Sequence, residues 1–126
     1  MRIIESVAEF RETRRRIKGR VGFVPTMGYL HEGHLALVRA ARKECDYLIA
    51  SIYVNPSQFS AGEDLSAYPR DMEKDLSLLK YSGVDLVFTP NDERMYPEGF
   101  NTWVKVESLD QRLESESRPH FFRGVA

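Results

Sequence analysis

Two short stretches of this chain hold residue types suited to binding a small ligand, and the first of them suits phosphate. The first, PTMGYLHEGH from Pro25 to His34, sets His31 and His34 three positions apart, with Gly28 and Gly33 among them. Side chains at i and i+3 share one face of a helical turn, so the two imidazoles can address a single group. A neutral imidazole donates one hydrogen bond and an imidazolium two, and either form suits a phosphate oxygen. The glycines remove side chains where a ligand must approach the backbone. Gly33 also stands at the start of an expected helix, whose free N–H groups and dipole attract anions. The second stretch, NPSQF from Asn55 to Phe59, adds the carboxamides of Asn55 and Gln58, each both donor and acceptor. Asn-Pro-Ser is equally an ordinary loop signal. Metal chemistry is not expected: the string HEGH spaces its histidines three apart, whereas the zinc-protease pattern H-E-x-x-H spaces them four apart, and no third ligand accompanies them.

Such residues need elements to hold them. Ser6 followed by Glu9 reads as a capping box, which predicts a helix from about Val7 to Lys18 with Gly19 at its carboxyl cap. Its run Arg14, Arg15, Arg16 and Lys18 reads as a solvated helix face. Val21, Phe23 and Val24 form a short apolar run suited to a buried strand that ends at Thr26. From about Gly33, the residues Leu35, Leu37, Val38, Ala40 and Ala41 make an apolar helical stripe, with Arg39, Arg42 and Lys43 near the carboxyl end where cations favour the dipole. Tyr47 to Val54 is nearly all apolar, as in a strand covered on both faces, and stops at Asn55-Pro56. Pro69 is expected in the first turn of the next helix, where Met72, Leu76 and Leu79 recur at helical spacing until Gly83. Leu86, Val87 and Phe88 form a third strand ended by Pro90. Beyond it, Thr102 to Val106 reads as one more short strand and Ser108 to His120 as polar loop or frayed helix.

The alternation of strand and helix implies right-handed crossovers and a parallel sheet, half of a doubly wound α/β fold. Ligands of such sheets bind beyond the carboxyl ends of the strands, where both candidate stretches lie. The 126 residues, 42% hydrophobic, have the size of one ordinary domain. Eighteen basic residues against 19 acidic ones leave a net charge of −1, which gives no reason to expect a nucleic-acid partner or a polybasic membrane anchor. Cys45 is the single cysteine, so no intramolecular disulfide is possible and a reducing cytoplasm is expected. No apolar run has the length of a membrane span, and the start lacks the layout of a secretory signal.

The short string H-x-G-H resembles the signature of nucleotidylyltransferases and class I aminoacyl-tRNA synthetases. The wider series resembles the pantothenate synthetase family: P-T-M-G-x-L-H-x-G-H, V-N-P-S-Q-F after the next strand, Y-P-R-D at the following helix, then M-Y-P and S-R-P. It runs from about Val21 to the last residue. This resemblance implies an α/β, Rossmann-like parallel sheet with helices on both faces, incomplete here as the first half of a nucleotide-binding domain. Residues 1–126 would be the amino-terminal part, with the carboxyl-terminal domain absent. It implies an ATP-dependent condensation of pantoate with β-alanine through a pantoyl adenylate, giving pantothenate, AMP and pyrophosphate. ATP is a substrate with Mg2+, and no tightly bound cofactor is implied.

By the same resemblance Met27, Gly28, Tyr29, Leu30, His31, Glu32, Gly33 and His34 line the ATP site, with His34 and His31 stabilising phosphate charge during catalysis. Gln58 and Asn55 match the positions that hold pantoate, with β-alanine as co-substrate. The partner implied is a second copy, a homodimer, in the cytoplasm, and the 126-residue chain by itself is expected to be inactive. Around Arg118 the family pattern L-E-G-x-x-R-P-G-H-F-x-G-V is altered, with Ser115 and His120 replacing glycines and Phe121 the histidine, so no role is carried over to that stretch. Two rival readings fit the same loop: a nucleotidylyltransferase of the H-x-G-H type, and a non-catalytic nucleotide-binding module.

Overall fold

Residues 1–108 and 120–126 are described by a computed structural model of the chain. They divide into two compact units: Met1–Val54 with Pro69–Met95, and Asn55–Tyr68 with Tyr96–Ala126.

In the first unit strand β1 (Arg2–Ile4) leads into helix α1 (Val7–Arg16), β2 (Val21–Thr26), α2 (Glu32–Glu44), β3 (Tyr47–Ile52), α3 (Met72–Tyr81), β4 (Leu86–Phe88) and the single turn α4 (Asp92–Met95). The four strands are all parallel, in the order β1-β4-β3-β2. Val24 pairs with Ala50, and Ala50 in turn with Val87. Because side chains alternate across a strand, β3 feeds two cores. Leu48, Ala50 and Ile52 join Val24, Leu30, Val38, Leu79 and Val87 on the α2 and α3 side. Ile49 joins Ile4, Leu86 and Phe88 on the other, against Phe10 of α1 and Met95 of α4. Helices thus cover both faces, which explains why β3 reads as an unbroken apolar run. Each buried Leu, Ile and Val side chain among these contributes roughly 1.5–3 kcal/mol.

Strand β1 has no counterpart among the sequence expectations; three residues are too few to show a period, and its pairing with β4 comes from tertiary context. Helix α1 ends at Arg16, with Ile17 as its cap, short of the expected Lys18 and Gly19. Its capping box is half formed: Ser6 accepts from the Glu9 N–H, but the Glu9 carboxylate turns to Arg2 at 2.7 Å. Strand β3 stops at Ile52 rather than Val54. Helix α3 begins at Met72 with Asp71 as its N-cap, so Pro69 precedes the helix instead of occupying its first turn.

The second unit holds two 3-10 turns, Pro56–Gln58 and Leu65–Ala67, and the short helix α5 (Phe121–Val125). Tyr96, Phe100 and Trp103 form an aromatic cluster with ring centroids 4.9–6.0 Å apart. The strand expected over Thr102–Val106 is not formed: no ladder partner among the described residues meets it. Most of the loop expected over Ser108–His120, including Ser115 and Arg118, lies outside the described residues.

Candidate functional site

Where β2 ends, Thr26 ties itself down twice: its Oγ1 donates to the Ser51 carbonyl at 2.9 Å and accepts from the Gly28 N–H at 3.1 Å. The chain then turns sharply. Gly28 has φ +81° and Tyr29 φ +52°, both left-handed. Glycine suits position 28 on both counts: it adopts the left-handed φ freely, and a Cβ there would crowd Asp75 Oδ2 and Ile52 Cγ2, each at 3.1 Å. Tyr29 and Leu30 donate their N–H groups to the two carboxylate oxygens of Asp75 on α3, at 2.7 and 2.8 Å. Leu30 plugs into the core, while the Tyr29 side chain is exposed.

His31 is the N-cap of α2. Its Nδ1 accepts from the Gly33 N–H at 3.0 Å, and the His34 Nδ1 accepts from the His31 N–H at 3.3 Å. The rings lie 4.1 Å apart between centroids. Since each Nδ1 accepts, each neutral ring carries its proton on Nε2. Neither Nε2 has a hydrogen-bond partner among the described residues. Partial burial first, and then the neighbouring His31, lower the pKa of His34 below its ordinary value, with Asp75 opposing. At neutral pH His34 is therefore a neutral N–H donor. Two expectations change here. The Gly33 N–H, expected to be free for an anion, is taken by His31. The lack of a side chain at Gly33 makes room for the His31 ring, whose Cε1 would lie 2.9 Å from a Cβ. Of the remaining predicted residues, Met27 is half-buried, and Glu32 is exposed and ion-paired with Arg39.

Asn55 and Gln58 belong to the second unit. Asn55 caps the 3-10 turn, and its Oδ1 accepts from the Ser57 N–H (3.0 Å), the Ser57 hydroxyl (2.7 Å) and the Tyr96 hydroxyl (2.8 Å). Its Nδ2 donates to the Gly124 carbonyl at 2.9 Å. Gly124 is pressed against this turn: a Cβ there would lie 2.4 Å from the Ser57 carbonyl oxygen. Gln58, half-buried, has no side-chain hydrogen bond among the described residues. A hollow of about 370 Å3 in this unit is lined by Pro56, Ser57, Tyr96, Phe100 and Trp103, and the Arg123 guanidinium stacks 4.4 Å over the Trp103 ring.

Sequence reasoning missed Asp75. A signal existed: Met72, Asp75, Leu76 and Leu79 stand at i, i+3, i+4 and i+7, so the carboxylate interrupts an apolar stripe and is only 2% exposed. Among the described residues no group of three or more His, Cys, Asp or Glu side chains could hold a metal ion.

A parallel sheet covered on both faces, with a tight glycine turn leading from a strand into a helix capped by paired histidines, defines an α/β protein of the Rossmann-like class. The family model for pantoate-beta-alanine ligase matches residues 2–126, and the chain belongs to that family. It is 56% identical over its whole length to a pantothenate synthetase of Roseiflexus castenholzii, and 55% identical to one of Chloroflexus aurantiacus. The crystal structure of a pantothenate synthetase from Thermus thermophilus superposes on 99% of the chain with a TM-score of 0.91 at 54% identity. A Francisella tularensis pantoate-beta-alanine ligase, complexed with beta-gamma ATP and beta-alanine, superposes on 98% with a TM-score of 0.91 at 36% identity. The chain spans 44–49% of the length of these relatives.

Proposed function

We propose that the chain is the amino-terminal, nucleotide-binding part of a pantothenate synthetase, and that its histidine turn serves the adenylation of pantoate. In that reaction a pantoate carboxylate oxygen bonds to the α-phosphorus of ATP while the bond to pyrophosphate breaks. The β-alanine nitrogen then attacks the acyl carbon of the pantoyl adenylate, loses a proton, and AMP departs. The observation that carries this reading is the pair of Nε2–H groups, set on a fixed turn with no internal partner among the described residues. Donors aimed at phosphate oxygens that gain charge in the transition state are what phosphoryl-group chemistry needs, and a neutral His34 supplies one without itself transferring a proton.

Met27 to His34 line the nucleotide site, Gln58 holds pantoate, and the remaining Nδ2 hydrogen of Asn55 supports the same ligand. ATP enters with magnesium, held by its own phosphates. Two copies of the enzyme form a homodimer in the cytoplasm. The unpaired Cys45 fits that compartment, and no helix among the described residues is long and apolar enough to cross a membrane.

The test is an assay with ATP, magnesium, pantoate and β-alanine on the chain extended to its relatives' full length. AMP and pyrophosphate are expected together, and only when pantoate is present. Pyrophosphate without AMP would mark nucleotidyl transfer instead, and ATP binding without either product a non-catalytic module. A polypeptide of these 126 residues alone is expected to give no turnover, since it spans 44–49% of the length of its relatives and a misplacement of about 1 Å already costs ~10²-fold in rate.

A further inference from the structure

We propose that Asp75 is a positioning residue for adenylation, gripping the turn that carries His31 and His34 through the amides of Tyr29 and Leu30. The proposal deepens the reading above and rests on it. Asp75 is 2% exposed and takes part in none of the ion pairs among the described residues. A carboxylate buried without a cation is strongly unfavourable unless hydrogen bonds replace its water. Here both oxygens are used, one on each of two consecutive backbone N–H groups, at 2.7 and 2.8 Å.

What the grip holds is an unfavourable turn. Tyr29 sits at φ +52°, a conformation that side chains other than glycine, asparagine and aspartate rarely adopt. Such a conformation persists only where its surroundings fix it. The fixing comes from one side by Leu30, sunk into the core that Leu79 shares, and from the other by Asp75. Two residues further on, His31 begins α2 and interlocks with His34. The two Nε2–H groups are therefore aimed by backbone geometry that a side chain on another helix sets. Asp75 touches neither nucleotide nor pantoate in this scheme; it acts through the turn.

A merely structural carboxylate and a positioning one both lower stability when changed, so the test compares Asp75→Asn with Leu79→Ala, a change one helical turn away in the same core. Asparagine keeps the size but offers one acceptor and turns an N–H donor toward a backbone N–H. Both variants are made in the chain extended to its relatives' full length and assayed well below their melting temperatures. Asp75→Asn is expected to slow pyrophosphate release by ~10–100-fold while leaving the KM for pantoate nearly unchanged, the effect of donors displaced by a fraction of an ångström to about 1 Å. Leu79→Ala should melt at least as early yet keep most of its kcat. Loss of kcat in step with stability in both variants, or normal kcat in Asp75→Asn, overturns the proposal.

Should Asp75→Asn not fold, amide hydrogen exchange on the unmutated protein decides: the Tyr29 and Leu30 amides are expected to exchange slowest within residues 27–34, and fast exchange of both refutes the grip. If the unmutated extended chain makes no adenylate at all, the functional reading fails by itself, and the exchange rates still report on Asp75.

Discussion

The turn after β2 and the turn after β3 follow successive strands, yet they hold their shape by different means. Tyr29 and Leu30 are held by a carboxylate 46 and 45 residues later in the chain, and the two histidines that follow spend only their Nδ1 atoms on the backbone. Asn55 instead commits its own amide to the turn it begins, bonding Ser57 two residues on as well as Tyr96 and Gly124. In the first turn the chemistry-bearing groups, the two Nε2–H donors, are the ring atoms that the backbone does not use. In the second the work is divided between neighbours: Asn55 builds and Gln58 stays uncommitted. The same residue type, a carboxamide in a polar loop, therefore has two fates three positions apart, and its partners rather than its chemistry decide which.

The division can be broken first at His34. In the extended chain, His34→Ala should slow adenylate formation by ~10²–10³-fold, the usual consequence of deleting one transition-state donor. The pantoate KM should hardly move, because the backbone of the turn does not depend on this ring alone. Single-turnover release of pyrophosphate measures it, and a near-normal rate would take His34 out of the chemistry.

A smaller and more discriminating effect is expected at the second turn. Gln58→Ala should raise the pantoate KM about tenfold or more, the loss of ~1.5–3 kcal/mol for a hydrogen bond to a charged ligand, with the ATP requirement and thermal stability nearly unchanged. Asn55→Ala should act chiefly on the fold, costing about 1–3 kcal/mol of stability because the Ser57 and Tyr96 donors and the Gly124 carbonyl lose their partner, with a smaller rise in the pantoate KM. Parallel thermal melts and substrate titrations separate the two. Equal behaviour of the variants would dissolve the distinction between builder and ligand.

The smallest expected effect is in pH. His34 has its native pKa lowered from 6.5, chiefly by burial. A histidine depressed in this way is favoured neutral in the fold, so its contribution to stability is present above pH 6.5 and is lost as pH falls through the lowered native value. Proton NMR of the His34 ring should give a midpoint below 6.5, and replacing His31 by glutamine should raise it by removing one cause of the shift. A midpoint at or above 6.5 in the unmutated chain would contradict the packing described for the histidine pair.

Much of the scaffold is legible because β3 and α2 carry long, consistent patterns: an unbroken apolar run for a strand buried on both sides, and a stripe with its cations at the carboxyl end. Strand β1 is not, since Arg2-Ile3-Ile4 has no period to read, and the expected strand at Thr102–Val106 fails because alternating Thr, Val and Val find no neighbour among the described residues with which to form a ladder. The histidine turn is visible as a motif, and its two rings do lie side by side. The motif cannot say that Gly33 clears space for His31 or that the Gly33 N–H is occupied. Asp75 escapes notice although it sits in an apolar stripe, because a helix-rich stretch with acidic residues at its start has an easier explanation in the dipole.

Strand β2 is the last in the sheet order of the described residues, and Phe23 on it is 54% exposed. The Thr26 carbonyl faces β3, where it accepts the Tyr53 N–H at 3.0 Å, so the alternate residues Val21, Phe23 and Pro25 turn their backbone groups outward. Val21 and Phe23 present an N–H and a carbonyl each; Pro25 has a carbonyl alone. A further strand laid along this edge would be zipped through Val21 and Phe23 and then find no donor one residue before the sheet ends. Strand addition along this edge would lack a ladder bond just short of Met27, which disfavours drawing the turn beyond it into a ladder.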